Sequence, residues 1–320
     1  MNNKITDILD ILKNNNSFAI AGHTNPDGDA IGACMGLAHI LRNAGKSADV
    51  YLEPISDTFF CIPGSDTVID ADLCRGGYDC FIALDCGDID RLPAKVKEVY
   101  QSSALTLNID HHMSNDFFGL DNYVIDNASS TSEIIFSILR RDFEVTKEAA
   151  SALYAGIIYD TGGLRHTSTS PFTMVVASEL MSKGIDFSSI YNEIFNKRSF
   201  VEAKLMGIAL TKLKTACDGK IVYSFVTKDE ITYVNGSSKD VSEIINYIKS
   251  VKGAAAAVFI YEKGENESKV SMRGDEPINV AEIAASFGGG GHARAAGYTA
   301  YCDAESALIP VLKILEDKLK

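Results

Sequence analysis

With 320 residues, 46% of them hydrophobic, the chain is long enough for two ordinary domains, each with its own core. A formal net charge of −13 argues against a surface that grips long nucleic acid through many phosphates, because that mode requires a basic stripe. The seven cysteines are odd in number, scattered and free of any C-x-x-C pair, which fits a reducing cytoplasm better than a disulfide scaffold.

In chain order, MNNKITDILDILKNNNS reads as an amphipathic helix and not as a signal peptide. No apolar run approaches the roughly 20 residues of a membrane span, so the expected location is the cytoplasm, with no membrane partner. Three short apolar runs follow: FAIAG (18–22), CFIALD (80–85) and ALTLNID (104–110). Helical or loop patterns separate them, among them a helix from Gly28 to Asn43, a strand ADVYLE and a helix over 93–101. That alternation predicts an α/β fold with a mostly parallel sheet and helices on both faces. YVIDN, a helix in STSEIIFSILRR, another in TKEAASALYAGIIYD and helical patterns from Pro171 to about Lys214 complete the first half. From GKIVYSFVT onward the order becomes strand, helix, strand, strand, helix, glycine run, helix. The expected division is a first domain over 1–185, a helical linker over 186–214 and a smaller α/β domain over 215–320.

Acids and imidazoles gather where the apolar runs stop. FAIAG is followed by HTNPDGDA, with His23, Asp27 and Asp29; the second run ends in Asp85 and the third in Asp110, His111 and His112. Asp160 closes YAGIIYD just before TGGLRHTS. In open α/β sheets ligands bind beyond the carboxyl ends of strands, so these side chains should meet at one edge. Singly, Asp27 and Asp29 also fit helix caps, and Asp85 and Asp160 fit turns. Together they would repel and desolvate one another without a cation. Imidazole and carboxylate ligands without thiolate favour an ion such as Mn²⁺, Fe²⁺ or Co²⁺. His23, Asp27, Asp29, Asp85, His111 and Asp160 exceed what one ion needs, which suggests a pair bridged by Asp85.

A second constellation is FGGGGHARAAG (287–297). Its glycines fit a helix C-cap followed by close packing. They equally fit backbone N–H groups wrapped around an anion, with His292 and Arg294 next in line and Arg273 ending a strand of the same domain. No lysine followed by Ser or Thr closes the run, so it is not a P-loop.

HTNPDGDA, LDCGD, DHH and YDTGGLRH resemble, in that order, the four motifs of the DHH phosphoesterase superfamily, and FGGGGHARAAG resembles the GGGH signature of its DHHA1 domain. The resemblance spans nearly the whole chain and points to the NrnA-like group of bifunctional nanoRNases (oligoribonucleases) and pAp phosphatases. It implies a DHH catalytic domain over 1–185 and a DHHA1 substrate-binding domain over 215–320, with the active site in the cleft between them. It implies two divalent ions, usually Mn²⁺: His23, Asp27 and Asp85 hold one, and Asp29, Asp85, His111 and Asp160 hold the other. Asp110 then supports the site and His112 faces the substrate, while Arg273, Gly289, Gly290, Gly291, His292 and Arg294 receive phosphate and ribose. The implied reaction is hydrolysis of short RNA, about two to five nucleotides, to 5′-mononucleotides, and of pAp to AMP, by metal-activated hydroxide.

A rival within the superfamily is a standalone phosphodiesterase for cyclic dinucleotides or linear pApA or pGpG. A rival of another class is a non-catalytic nucleotide-binding module, whose signature would be a missing ligand; all six positions are filled. Relatives often carry an aromatic after the arginine matching Arg165, so His166 leaves a base contact open. A homodimer through helix 171–183 is compatible with the pattern but not demanded by it.

Overall fold

A computed structural model describes residues 2–319 of the chain. It divides into two compact units between Lys197 and Arg198. The first contains α1 (Ile5–Asn14), β1 (Ser17–Ala21), α2 (Gly28–Asn43), β2 (Ser47–Leu52), β3 (Ile69–Asp70), β4 (Cys80–Leu84), α3 (Ala94–Ser102), β5 (Thr106–Asp110), β6 (Asp121–Val124), α4 (Thr131–Leu139), α5 (Lys147–Asp160), α6 (Pro171–Met181) and α7 (Phe187–Tyr191). Its strands form one six-stranded parallel sheet in the order β3-β2-β1-β4-β5-β6. The expected α/β class holds, and the apolar runs explain why. Phe18, Ile20, Ile82 and Leu84 point into a core shared with α1, α2, α4 and α5, while Ala19, Ala21, Phe81 and Ala83 point to the opposite face, where Val96, Val99 and Tyr100 of α3 cover them. The strand order reverses direction between β1 and β4, and that switch point is where such sheets open a crevice for ligands.

Helix α2 crosses α5 at backbone contact. Glycines at 28, 32 and 36, one per turn on one face, make this possible. A Cβ on Gly28 would fall 2.4 Å from the Tyr159 ring, on Gly32 2.6 Å from the Ala152 carbonyl oxygen, and on Gly36 2.4 Å from Leu153. Across the crossing, a Cβ on Gly156 would meet Ser132 Oγ at 2.1 Å and Asp29 Oδ1 at 2.7 Å. The first turn of α2 and the last of α5 are thereby drawn together above the sheet.

The second unit contains α8 (Phe200–Thr211), β7 (Lys214–Ala216), β8 (Ile221–Val226), α9 (Lys228–Tyr233), α10 (Ile244–Lys249), β9 (Ala256–Gly264), β10 (Glu267–Gly274), α11 (Val280–Ser286), β11 (Gly290–His292), β12 (Ala295–Ala300) and α12 (Ala304–Leu319). Its sheet runs β11-β12-β10-β9-β8-β7, antiparallel except for β8 beside β9. Helices α11 and α12 pack on one face and α8 and α10 on the other. The helical pattern from 171 to 214 resolves into α6, α7 and α8, and Lys214 begins a strand. The segment read as a bare glycine run is part of a hairpin, β11–β12, because β10 offers a paired edge that makes strands of small residues. All seven cysteines are unpaired, and no described helix is long and apolar enough to cross a membrane.

Gly32→Ala is expected to lower stability by about 1–3 kcal/mol, because backbone faces it and cannot yield. Gly207→Ala, inside α8 with no heavy atom within 4 Å of the added Cβ, is expected to raise it by about 0.5–1 kcal/mol. Urea unfolding of the two variants measures both; equal effects would refute the close-crossing account.

Candidate metal centre

The site is built on residues that leave β1, β4 and β5. His23 follows β1, is buried, and donates Nδ1–H to its neighbour's Thr24 carbonyl at 2.8 Å. That bond leaves Nε2 facing Asp27 Oδ1 at 3.8 Å and Asp85 Oδ2 at 3.7 Å. Asp27 is the N-cap of α2, where Oδ1 accepts from the amides of Asp29 and Ala30 at 3.0 and 3.1 Å. Asp27 thus caps the helix with the same oxygen that faces His23.

Asp29 lies in the first turn of α2 and is fully buried. Its two oxygens accept from the first amides of α4, Thr131 N at 2.6 Å and Ser132 N at 3.0 Å. A carboxylate on a helix N-terminus is favoured by the unpaired N–H groups and the dipole there. Asp85 follows β4 with φ 54°, a left-handed conformation that aspartate tolerates better than most residues but that still costs about 1–3 kcal/mol. Thr131 Oγ1 donates to its Oδ1 at 3.1 Å.

Asp110 ends β5, and His111 and His112 follow it with their ring centroids 4.7 Å apart. His111 sets Nδ1 against the Ala128 carbonyl at 3.4 Å and turns Nε2 to Asp85 Oδ1 at 3.5 Å and Asp160 Oδ2 at 3.1 Å. His112 donates Nδ1–H to Asp110 Oδ1 at 2.7 Å. The other oxygen of Asp110 accepts from Asn115 Nδ2 at 2.6 Å, and Asn115 also bonds Asn108 at 2.8 Å, so a buried amide pair fixes this acid. Asn108, Asn115, Thr131 and Ser132 did not stand out in the sequence. Asn115 lies five residues after Asp110 and was within sight; Thr131 and Ser132 showed only as the start of a helix.

Potential ligand atoms of His23, Asp27 and Asp85 lie within 4.8 Å of one another, as do those of Asp29, His111 and Asp160, and those of Asp85, His111 and His112. All six expected ligands are thus in one place, with Asp85 between the two sets. Burial, then the Asp85 and Asp160 charges, push the Asp29 carboxyl well above its usual range. Burial, then Asp27, push Asp85 to about 7. Burial opposes charge on His111, but its hydrogen bond to Asp160 and the charges of Asp29 and Asp85 outweigh it and raise that imidazole to about 10. Burial likewise opposes charge on Asp110, yet its bonds to His112 and Asn115 hold it below the ordinary value. Hard oxygen donors that repel one another, beside imidazoles whose Nδ1 is already engaged, fit a divalent cation.

The candidate substrate residues sit at one end of the second sheet. Arg273 on β10 pairs with Ala295 on β12, which also pairs with His292 on β11, and Arg294 lies in the turn between the last two strands. Arg273 donates to Asn246 Oδ1 at 3.0 Å, and Arg294 is ion-paired with Glu276. The glycines behave differently from the anion-wrapping expectation. Gly288 N and Gly289 N donate to the carbonyls of Ala285 and Ala284 at 3.0 and 2.9 Å, which ends α11 in a C-cap motif. The Gly289 amide is therefore engaged in the fold, and a Cβ there would meet the Gly297 carbonyl at 2.3 Å. Gly290 and Gly291 pair with Gly297 and Ala296 in the hairpin. His166, after motif-like TGGLR, sets Nδ1 against the Asp160 carbonyl at 3.1 Å.

The family described as DHH family, N-terminal domain, matches residues 17–157, and the DHHA1 domain matches residues 218–320. The chain is 30% identical over 303 residues to the bifunctional oligoribonuclease and PAP phosphatase NrnA of Thermus thermophilus, covering 94% of this chain and 89% of that one. It is 25% identical over 300 residues to the protein of the same name in Bacillus subtilis, covering 92% and 93%. Its fold resembles the crystal structure of an exopolyphosphatase-related protein from Bacteroides fragilis with a TM-score of 0.87 and 28% identity, covering 98% and 95%.

Asp85 and His111, like Asp29, bind protons in the metal-free fold that the unfolded chain would have released. Stability of the metal-free protein should therefore fall as pH rises from the ordinary 3.8 of Asp85 through about 7, and fall further between 6.5 and about 10 as His111 loses its proton. Mn²⁺ used as a probe must displace those protons, so its affinity should rise from pH 6.5 to 8.5. Calorimetry in two buffers of different ionisation enthalpy should register proton release; binding without release would refute this account of the site.

Proposed function

Because the chain belongs to the DHH family and is a hydrolase acting on phosphoester bonds, we propose that it cleaves short RNA of about two to five nucleotides to 5′-mononucleotides and removes the 3′-phosphate of pAp to give AMP. The observation that carries this reading is Asp85, buried beside two sets of imidazole and carboxylate donors whose negative charge the histidines only partly offset. Relatives named oligoribonuclease and PAP phosphatase support the same substrate class.

His23, Asp27 and Asp85 are assigned to one ion and Asp29, Asp85, His111 and Asp160 to the other, with manganese as the native metal. Bound there, divalent ions supply Lewis acidity that lowers the pKa of water and neutralises phosphate charge. The chain itself supplies a proton. The hydrogen bond to Asp110, against the opposing effect of burial, raises the His112 pKa, so the imidazolium persists nearer neutrality. With Nδ1–H committed to Asp110, Nε2–H is left to bond a phosphoryl oxygen or to protonate the departing 3′-oxygen. Arg273, His292 and Arg294 are assigned to the phosphate and ribose at the other end of the substrate, where Arg294 exchanges Glu276 for phosphate. One cut, between the 3′-oxygen and phosphorus, serves both activities: the oxygen of water joins phosphorus and the 3′-hydroxyl leaves with the proton.

Purified protein with Mn²⁺ is expected to convert pAp to AMP and phosphate and a five-nucleotide RNA to mononucleotides, and to leave cyclic di-AMP nearly untouched when products are resolved by chromatography. Hydrolysis in ¹⁸O-labelled water should label phosphate and not the 3′-hydroxyl. His112→Gln should lower kcat about 10²–10⁴-fold with less effect on KM. Faster turnover of cyclic di-AMP than of either favoured substrate would overturn the assignment.

A further inference from the structure

A cavity of about 320 Å³ lies in the first unit, lined by none of the candidate metal ligands, and its wall includes Tyr123, Ile125, Ala128, Glu133, Ile134 and Phe172. That volume is in the range that takes a small molecule. The lining is apolar but for a few groups, and the one charge in it is Glu133, only 4% exposed. Glu133 stands in the first turn of α4. Ser129 Oγ donates to its Oε2 at 2.7 Å. Among the described residues Glu133 has no ion-pair partner; Arg140, the C-cap of α4, lies over the Phe172 ring at 5.9 Å but is paired with Glu179 at 2.6 Å. A carboxylate held in an apolar chamber with a single hydroxyl donor is costly unless a cation joins it.

We propose that this cavity is a binding site for a small organic cation: an ammonium group on the Glu133 carboxylate, with an aromatic or branched apolar body against Tyr123, Ile125, Ile134 and Phe172. A neutral apolar ligand would leave the charge unanswered, an anion would be repelled by it, and a bare metal ion would find too few donors in the wall. The half-exposed rings and chains at the rim, Phe172 and Ile5, each 44% exposed, leave a way in. Ala128 belongs to the wall and also offers the carbonyl that orients His111. Occupancy therefore steadies a ligand of the metal centre, a coupling that rests on reading His111 as such a ligand.

The test uses the full chain without metal and two probes of equal shape, 2-phenylethylammonium and 2-phenylethanol, titrated by calorimetry or NMR. The ammonium should bind at least tenfold more tightly. Glu133→Gln should bring the two within twofold, and Ser137→Phe, which puts a ring into the cavity, should weaken both at least tenfold. Asp85→Ala should leave the ammonium affinity within twofold, so that a failure of the metal reading leaves the cavity reading standing. Absence of binding, equal affinity of the two probes for the unaltered protein, which is what a water-filled chamber gives, or a preference that survives Glu133→Gln would overturn the site. With the ammonium saturating, Mn²⁺ affinity should shift at least threefold; an unchanged value would overturn the coupling and leave the site.

Discussion

The Asp29 carboxylate, clamped by two amides at the head of α4, is the contact on which the rest of the candidate metal centre depends. It begins in the first turn of α2 and ends on another helix, so it fixes the angle between them. The glycine face of α2 lets α5 come close enough for Gly156 to sit against that same carboxylate and the Ser132 hydroxyl. Asp160, at the end of α5, then reaches His111 without any loop having to be placed precisely by itself. Three elements distant in sequence are positioned by one buried charge and a row of missing side chains. The same α4 head also gives Thr131 Oγ1 to Asp85, so both central acids are oriented by a single helix start.

This arrangement opposes stability in the metal-free chain. Carboxylates placed beside one another out of water raise each other's proton affinity, and Asp85 does so from a left-handed backbone conformation. Structures tolerate such a conflict where surrounding packing fixes it, and here the packing is that of a parallel sheet buried on both faces. The histidines relieve part of it. Each engages Nδ1 with a carbonyl or with Asp110, which sets the ring plane and leaves Nε2 toward the acids or toward solvent. A cation would complete the balance that imidazolium at His111 only approximates.

Much of the first unit was legible because its signals are local. An apolar run that stops at an acid announces a strand with a functional end, and β1, β4 and β5 lie next to each other as the alternation of strands and helices required. The clamp was not legible, since Asp29 and Thr131 are 102 positions apart and neither is unusual in its own neighbourhood. Asn115 lay close to Asp110 but reads as a loop residue until the amide pair with Asn108 is seen. In the second unit the strands rich in Val, Ile and Phe were plain, whereas β12, AAGYTA, has little strand propensity of its own and is a strand because β10 is beside it.

The glycine segment shows why motif chemistry has to be settled by accounting for each backbone group. Four consecutive glycines invite the idea of free amides around an anion, yet Gly288 and Gly289 spend theirs on the last carbonyls of α11. What the absence of side chains allows there is contact: at Gly289 and Gly291 a Cβ would run into the backbone of β12 at 2.3 and 2.6 Å. The run is a hinge-like joint that brings the hairpin against the end of a helix, and the joint sets where His292 and Arg294 emerge. Arg273 and His292 share the register position of Ala295 across the three strands, and Arg294 lies in the turn beside them, so what the glycine backbone sets is the placement of these side chains.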